Sequence, residues 1–135
     1  MTDLHKEFLS QSRAGLDRLD EELPKLEDRC ARKRLTGILR ATQTIKGTSG
    51  FLGFTRLESV ADAGLRLLAQ LRKGALTATP EIASALRRMR DSFRQSLKRI
   101  ESGGDEAHAE SDDLAAELDR LCEPPRKSRT DTSLE

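Results

Sequence analysis

Apolar residues recur along the chain at the spacing of a helix face. Leu9, Leu16, Leu19, Leu23 and Leu26 return at intervals of seven, three, four and three, which at about 100° per residue sets them on one stripe with Phe8 beside it. Pro24 falls inside that stripe and predicts a kink or an end near Leu23, because proline lacks an amide donor and crowds the preceding turn. A second segment, starting near Arg32, places Leu35, Ile38, Leu39, Thr42, Ile45, Ser49 and Leu52 on one side. Thr36, Gln43, Gly47 and Gly50 gather on the opposite, outward side. Leu52 keeps phase with Ile38 and Ile45, so the helix is expected to continue through both glycines; the competing reading makes "GTSG" a loop that ends it at Lys46.

Start and stop signals frame the rest. Thr55 and Glu58 in "TRLE" read as a capping box ahead of Leu57, Val60, Ala61, Gly64, Leu68 and Leu71, and Gly74 reads as the stop. Thr79 reads as the cap of a fourth helix with Pro80 at its first position, where the missing amide does no harm. Its seam is Ile82, Leu86, Met89, Phe93, Leu97 and Ile100. Ser111 or Asp112 opens a short fifth helix through Leu114, Leu118 and Leu121.

Four amphipathic helices with short connections predict an all-α fold, an antiparallel up-down four-helix bundle with a short fifth C-terminal helix. Composition agrees: there is no Trp or Tyr and only four Phe, while strands lean on aromatic residues. The expected partition is a bundle over residues 1–102, a flexible linker over 103–110, an appended helix over 111–122 and a disordered tail over 123–135. The last two residues, Leu134 and Glu135, resemble a cloning remnant.

Charge excludes several classes. The 24 Lys and Arg against 23 Asp and Glu give a net charge of +1, so no bulk field draws nucleic acid or membrane. The arginine-rich face of the fourth helix, with Arg87, Arg88, Arg90, Arg94, Lys98 and Arg99, lacks interleaved aromatics and reads as a solvated surface. No apolar run spans a bilayer, "MTDLHKEF" lacks the regions of a signal peptide, and Cys30 and Cys122 read as free thiols in a reducing cytoplasm. His5 and His108 have no ligand partner at helical spacing and read as solvent-exposed bystanders, so neither a metal nor a cofactor is expected. No acid–base or nucleophile set converges, which argues against an enzyme, and a monomer is expected.

The stretch "RATQTIKGTSGFLGFTRLESVADAG", from Arg40 to Gly64, is the most specific part of the sequence. It resembles the signature of histidine phosphotransfer domains, nearest to the N-terminal phosphotransfer domain of chemotaxis-type kinases. That pattern reads Arg, two residues, His-Thr-(Ile/Leu)-Lys-Gly, small residues, Gly, then Gly-Phe ahead of the third helix. The resemblance covers Asp3 to about Glu101. It implies a bundle presenting one exposed histidine on the second helix, phosphorylated by a kinase catalytic domain and discharged to a receiver-domain aspartate. It also implies that Lys46 supplies charge to the phosphoryl group, and that Gly47 and Gly50 keep the surface bare for a partner.

Three positions depart from the pattern. Gln43 stands where the histidine would be, and a carboxamide, whose nitrogen lone pair is delocalised, is no nucleophile. The family's orienting histidine and glutamate on the third helix correspond to Asp62 and Leu65. The resemblance therefore implies a phosphotransfer-like module that has lost its acceptor and retains docking through Gln43, Lys46, Gly47 and Gly50. Natural loss and deliberate redesign into a partnerless helical scaffold both account for the substitutions.

Overall fold

The computed structural model describes residues 3–25, 31–103 and 111–122. Five α-helices follow in order: α1 (Asp3–Glu22), α2 (Ala31–Leu52), α3 (Thr55–Lys73), α4 (Pro80–Glu101) and α5 (Ser111–Leu121), with no strand among the described residues. A short 3-10 turn, Leu23–Lys25, carries α1 past Pro24. Leu26, Cys30, the stretch 104–110 with His108, and the stretch 123–135 lie outside the described residues.

The stripes meet in one core. Phe8, Leu16 and Leu19 of α1, Ile38 and Ile45 of α2, Leu57, Leu67 and Leu68 of α3, and Leu86, Met89 and Phe93 of α4 are all buried in it. Cross-helix contacts fix the directions. Gly15 backs onto Ala41 while Arg18 lies over Gly37, Lys46 faces Asp62, and Asp20 pairs with Arg94, so neighbouring helices run antiparallel. Helix α1 packs on α2 and α4, and α3 on α2 and α4. Helix α5 lies along α3 and also touches α4, with Leu114, Leu118 and Leu121 buried in the same core.

Of the buried hydroxyls, those of Thr42 and Ser49 are satisfied within their own helix, whereas that of Ser12 finds no partner among the described residues. Buried Thr42 donates its hydroxyl to the Ile38 carbonyl at 2.8 Å, and buried Ser49 donates to that of Ile45. Exposed Thr44 and Thr48 bond back in the same way to Arg40 and Thr44.

Helix α2 does not stop at Lys46; it runs through "GTSG" to Leu52. Its end is set by Gly53, at φ +84°: the Gly53 N–H donates to Gly50 O at 3.2 Å and the Phe54 N–H to Ser49 O at 2.9 Å. That turn overrides the capping box expected at Thr55. Phe54 becomes the N-cap with no side-chain cap bond, Thr55 is already helical, and the Glu58 N–H donates to Phe54 O at 2.9 Å. The Phe54 ring instead packs against Phe8, at a centroid distance of 5.3 Å, so an apolar contact fixes the entry to α3. Gly74, at φ +84°, closes α3 as expected, and Thr79 accepts the Ile82 N–H at 3.2 Å ahead of Pro80.

Gly64 lets α3 approach α4, because a Cβ there would lie 2.2 Å from the Met89 sulfur. Met89 is fully buried and has little room to move. Gly64→Ala is expected to lower stability: overpacking costs about 1–3 kcal/mol, which exceeds the roughly 1 kcal/mol gained in helix propensity. A urea titration checks this, and an unchanged or raised midpoint would contradict the close-approach role.

Candidate functional site

The outward face of α2 carries the residues singled out in the sequence. Gln43 is exposed, its side chain one turn ahead of Gly47, which is also exposed and has nothing within 4 Å of where a Cβ would stand. One turn further on, Phe51 is 76% exposed, the most exposed large apolar side chain among the described residues. It stands two helical turns from Gln43, and that spacing alone puts it on the same face. Phe51 is assigned to neither face by the sequence reading above, although its phase with Gln43 and Gly47 was there to be counted.

Gly50 does not share that openness. A Cβ at Gly50 would come within 2.5 Å of a Glu58 carboxylate oxygen, so this glycine lies beneath the end of a side chain from α3. The bare strip expected from Gly47 and Gly50 together is reduced to Gly47, with Phe51 beyond it.

Lys46 turns toward α3. Its ammonium lies 3.1 Å from an Asp62 carboxylate oxygen, and both side chains are partly exposed. Asp62 also accepts from Arg66, one turn along α3, and Arg66 in turn donates to Asp119 on α5. Charges thus alternate Lys46, Asp62, Arg66, Asp119 across three helices. Partial burial by itself would push the Asp62 carboxyl up, but hydrogen bonds from Lys46 and Arg66, with their charges, outweigh it and hold the group below the usual aspartate range. The Asp119 hydrogen bond, with that to Asp62, raises the Arg66 pKa further. Asp62 therefore stays ionised and Arg66 charged near neutrality. Leu65, the other departure, is half-buried and packs against the core.

His5 takes no part in this arrangement. His5 is not the solvent-exposed residue the sequence suggested: it is half-buried and meets Phe54 edge-on at 5.7 Å, at the N-terminal end of α1. The arginine face of α4 is likewise more occupied than expected, because Arg90 and Arg94 hold Asp20 and Arg88 holds Glu117. Among the described residues no group of three His, Cys, Asp or Glu could hold a metal ion. No helix is long and apolar enough to cross a membrane. What remains at the site is a carboxamide that cannot attack phosphorus, a lysine already held by a carboxylate, and an exposed glycine and phenylalanine.

Comparison with known proteins agrees with the helical fold. The chain is 29% identical over 104 residues to the chemotaxis protein CheA of Cereibacter sphaeroides, a match covering 77% of this chain and 15% of that protein. It therefore spans about 15% of the length of that curated relative. The fold superposes on the phosphorylated P1 domain of CheA3, solved in complex with CheY6 from R. sphaeroides, with a TM-score of 0.81 at 24% identity, covering 90% of this chain and 97% of that one. The family model of the Hpt domain matches residues 3–100, and the chain belongs to that family.

Proposed function

We propose that this chain is a chemotaxis-type phosphotransfer module that accepts no phosphoryl group and acts by docking a receiver domain or a kinase catalytic domain. One observation carries the reading: the acceptor position on the exposed face of α2 holds Gln43, while the face itself, with Gly47 and Phe51, stays open. An amide nitrogen conjugated with its carbonyl offers no lone pair, whereas the neutral imidazole it replaces offers one at a pKa of about 6.5. The pairing of Lys46 with Asp62 adds to this, because an ammonium held by a carboxylate is a poorer partner for a phosphoryl group. The relative's complex with CheY6 supports a receiver as the docked partner.

Two measurements test the reading. Incubation with a chemotaxis-type kinase domain and labelled ATP is expected to give no acid-labile phosphohistidine, and label on any residue of the chain would refute the loss of acceptor function. Titration of the ¹⁵N-labelled chain with the CheY6 receiver is expected to move the amide signals around Gly47 and Phe51. A flat titration with CheY6 and with the kinase domain would favour the partnerless scaffold.

A further inference from the structure

We propose that α5 controls Lys46 from a distance: Asp119 draws the Arg66 guanidinium toward itself and so leaves Asp62 to hold Lys46, and loss of that draw releases the Lys46 ammonium to a partner. The inference rests on the docking reading above only in its last step, the use of Lys46 by a partner. Arg66 lies between two carboxylates. Its Nε and one terminal nitrogen both reach a single Asp119 oxygen, at 3.2 and 2.5 Å, and only the other terminal nitrogen is left for Asp62. Asp62 therefore divides its two oxygens, one to Arg66 and the other, at 3.1 Å, to Lys46.

A guanidinium binds a carboxylate best through two parallel donors, one to each oxygen. Asp62 and Arg66 stand one turn apart on α3 with the acid on the N-terminal side, the order that favours such a pair. Once Asp119 no longer holds the edge of Arg66, two donors are free to close on Asp62, and the second oxygen they take is the one Lys46 uses. Arg66 and Lys46 thus compete for one carboxylate, and α5 biases the outcome; a two-state element of this kind is what coupling between sites requires. Helix α5 suits the role because its seat does not depend on Asp119. Leu114, Leu118 and Leu121 bury it against the core, and Asp112 and Glu117 pair with Arg56 and Arg88. Asp119 is half exposed, so a basic segment of a partner reaches it with α5 still in place. Such a segment, by taking Asp119 from Arg66, is the signal the arrangement fits.

The test reads Lys46 directly in the whole chain labelled with ¹⁵N and ¹³C, through the NMR coupling that crosses the hydrogen bond from Lys46 Nζ to the Asp62 carboxylate carbon. Asp119→Asn is expected to reduce that coupling by about half, the size of effect that solvated pairs allow. Arg66→Gln, which removes the competitor, is expected to raise it. In a chain that already carries Arg66→Gln, Asp119→Asn should change nothing. That last comparison separates a relay from the field of a lost charge, which acts on Lys46 whether or not Arg66 is present. Arg66 and Asp119 are both about half exposed, so the variants are expected to keep the bundle, which circular dichroism verifies. A coupling unmoved by Asp119→Asn, or moved equally in the two backgrounds, would overturn the proposal. The last step is read with the CheY6 receiver: Asp119→Asn should tighten its binding about two- to threefold, and adding Lys46→Gln should abolish the gain. No gain from Asp119→Asn, or the same gain with Lys46→Gln present, would overturn the release of Lys46 to a partner. Absence of any CheY6 or kinase-domain binding would sink the docking reading and leave the relay standing, because the Lys46 signal needs no partner.

Discussion

A chain carrying Gln43→His, Asp62→His and Leu65→Glu together is expected to take up phosphate from a chemotaxis-type kinase domain about 100-fold faster than one carrying Gln43→His alone. The single substitution supplies a nucleophile and little else. An imidazole reacts well when its second nitrogen donates to an acceptor that fixes the tautomer and the ring, and support of that kind is worth about 10- to 100-fold at comparable sites. Positioned proton transfer contributes about as much or more. In the single variant Asp62 stays engaged by Lys46 and Arg66, and Leu65 has nothing to offer a ring nitrogen. Lys46 also stays held, so its charge reaches a transferring phosphoryl group only in part. Adding Asp62→Ala to Gln43→His isolates that contribution, since it frees Lys46 without orienting the ring, and a smaller gain in rate is expected. Time courses of acid-labile label decide the matter. If Gln43→His alone matched the triple variant, Asp62 and Leu65 would have no bearing on the chemistry.

Leu118→Ala is expected to destabilise the chain by about 2–5 kcal/mol, the usual cost of a cavity at a buried leucine, and to lower the melting temperature by roughly 10 °C. Leu118 is fully buried against the core although it lies beyond the long acidic connection. The ion pairs at the rim of α5 look like the alternative source of its adhesion, but their side chains are largely solvated. Arg66 and Asp119 are 51% and 50% exposed, and such pairs contribute about 0–1 kcal/mol each. Asp119→Asn should therefore change the melting temperature far less than Leu118→Ala. Thermal denaturation of both variants checks the ranking. A Leu118→Ala chain melting beside the parent would mean that α5 is an appendage, as the expected partition ending the bundle at residue 102 holds, and that partition remains a proposal until the measurement is made.

The helices were legible in the sequence because each buries one stripe, and a stripe at helical spacing is visible without neighbours. Leu9, Leu16 and Leu19, or Ile82 through Ile100, needed only counting, and Gly74, Thr79 and Pro80 act within one turn of themselves. What escaped depends on a second helix. The pairing of Lys46 with Asp62 joins α2 to α3, and no periodicity in either reveals it. Gly50 read as open surface because the glutamate that covers it comes from α3. The capping box at Thr55 failed for a related reason: the turn at Gly53 had already fixed Phe54 at the helix start, and the ring found Phe8. The site was legible through Gln43 and Gly47, whose exposure follows from phase alone. Phe51 obeys the same phase, and its exposure could have been counted in the same way.

The connection between α2 and α3 consists of Gly53 and Phe54. Gln43, Lys46 and Asp62 therefore belong to one helical hairpin whose ends are brought together at small entropic cost. The geometry around Gln43 is thus set within one hairpin, across a connection of two residues.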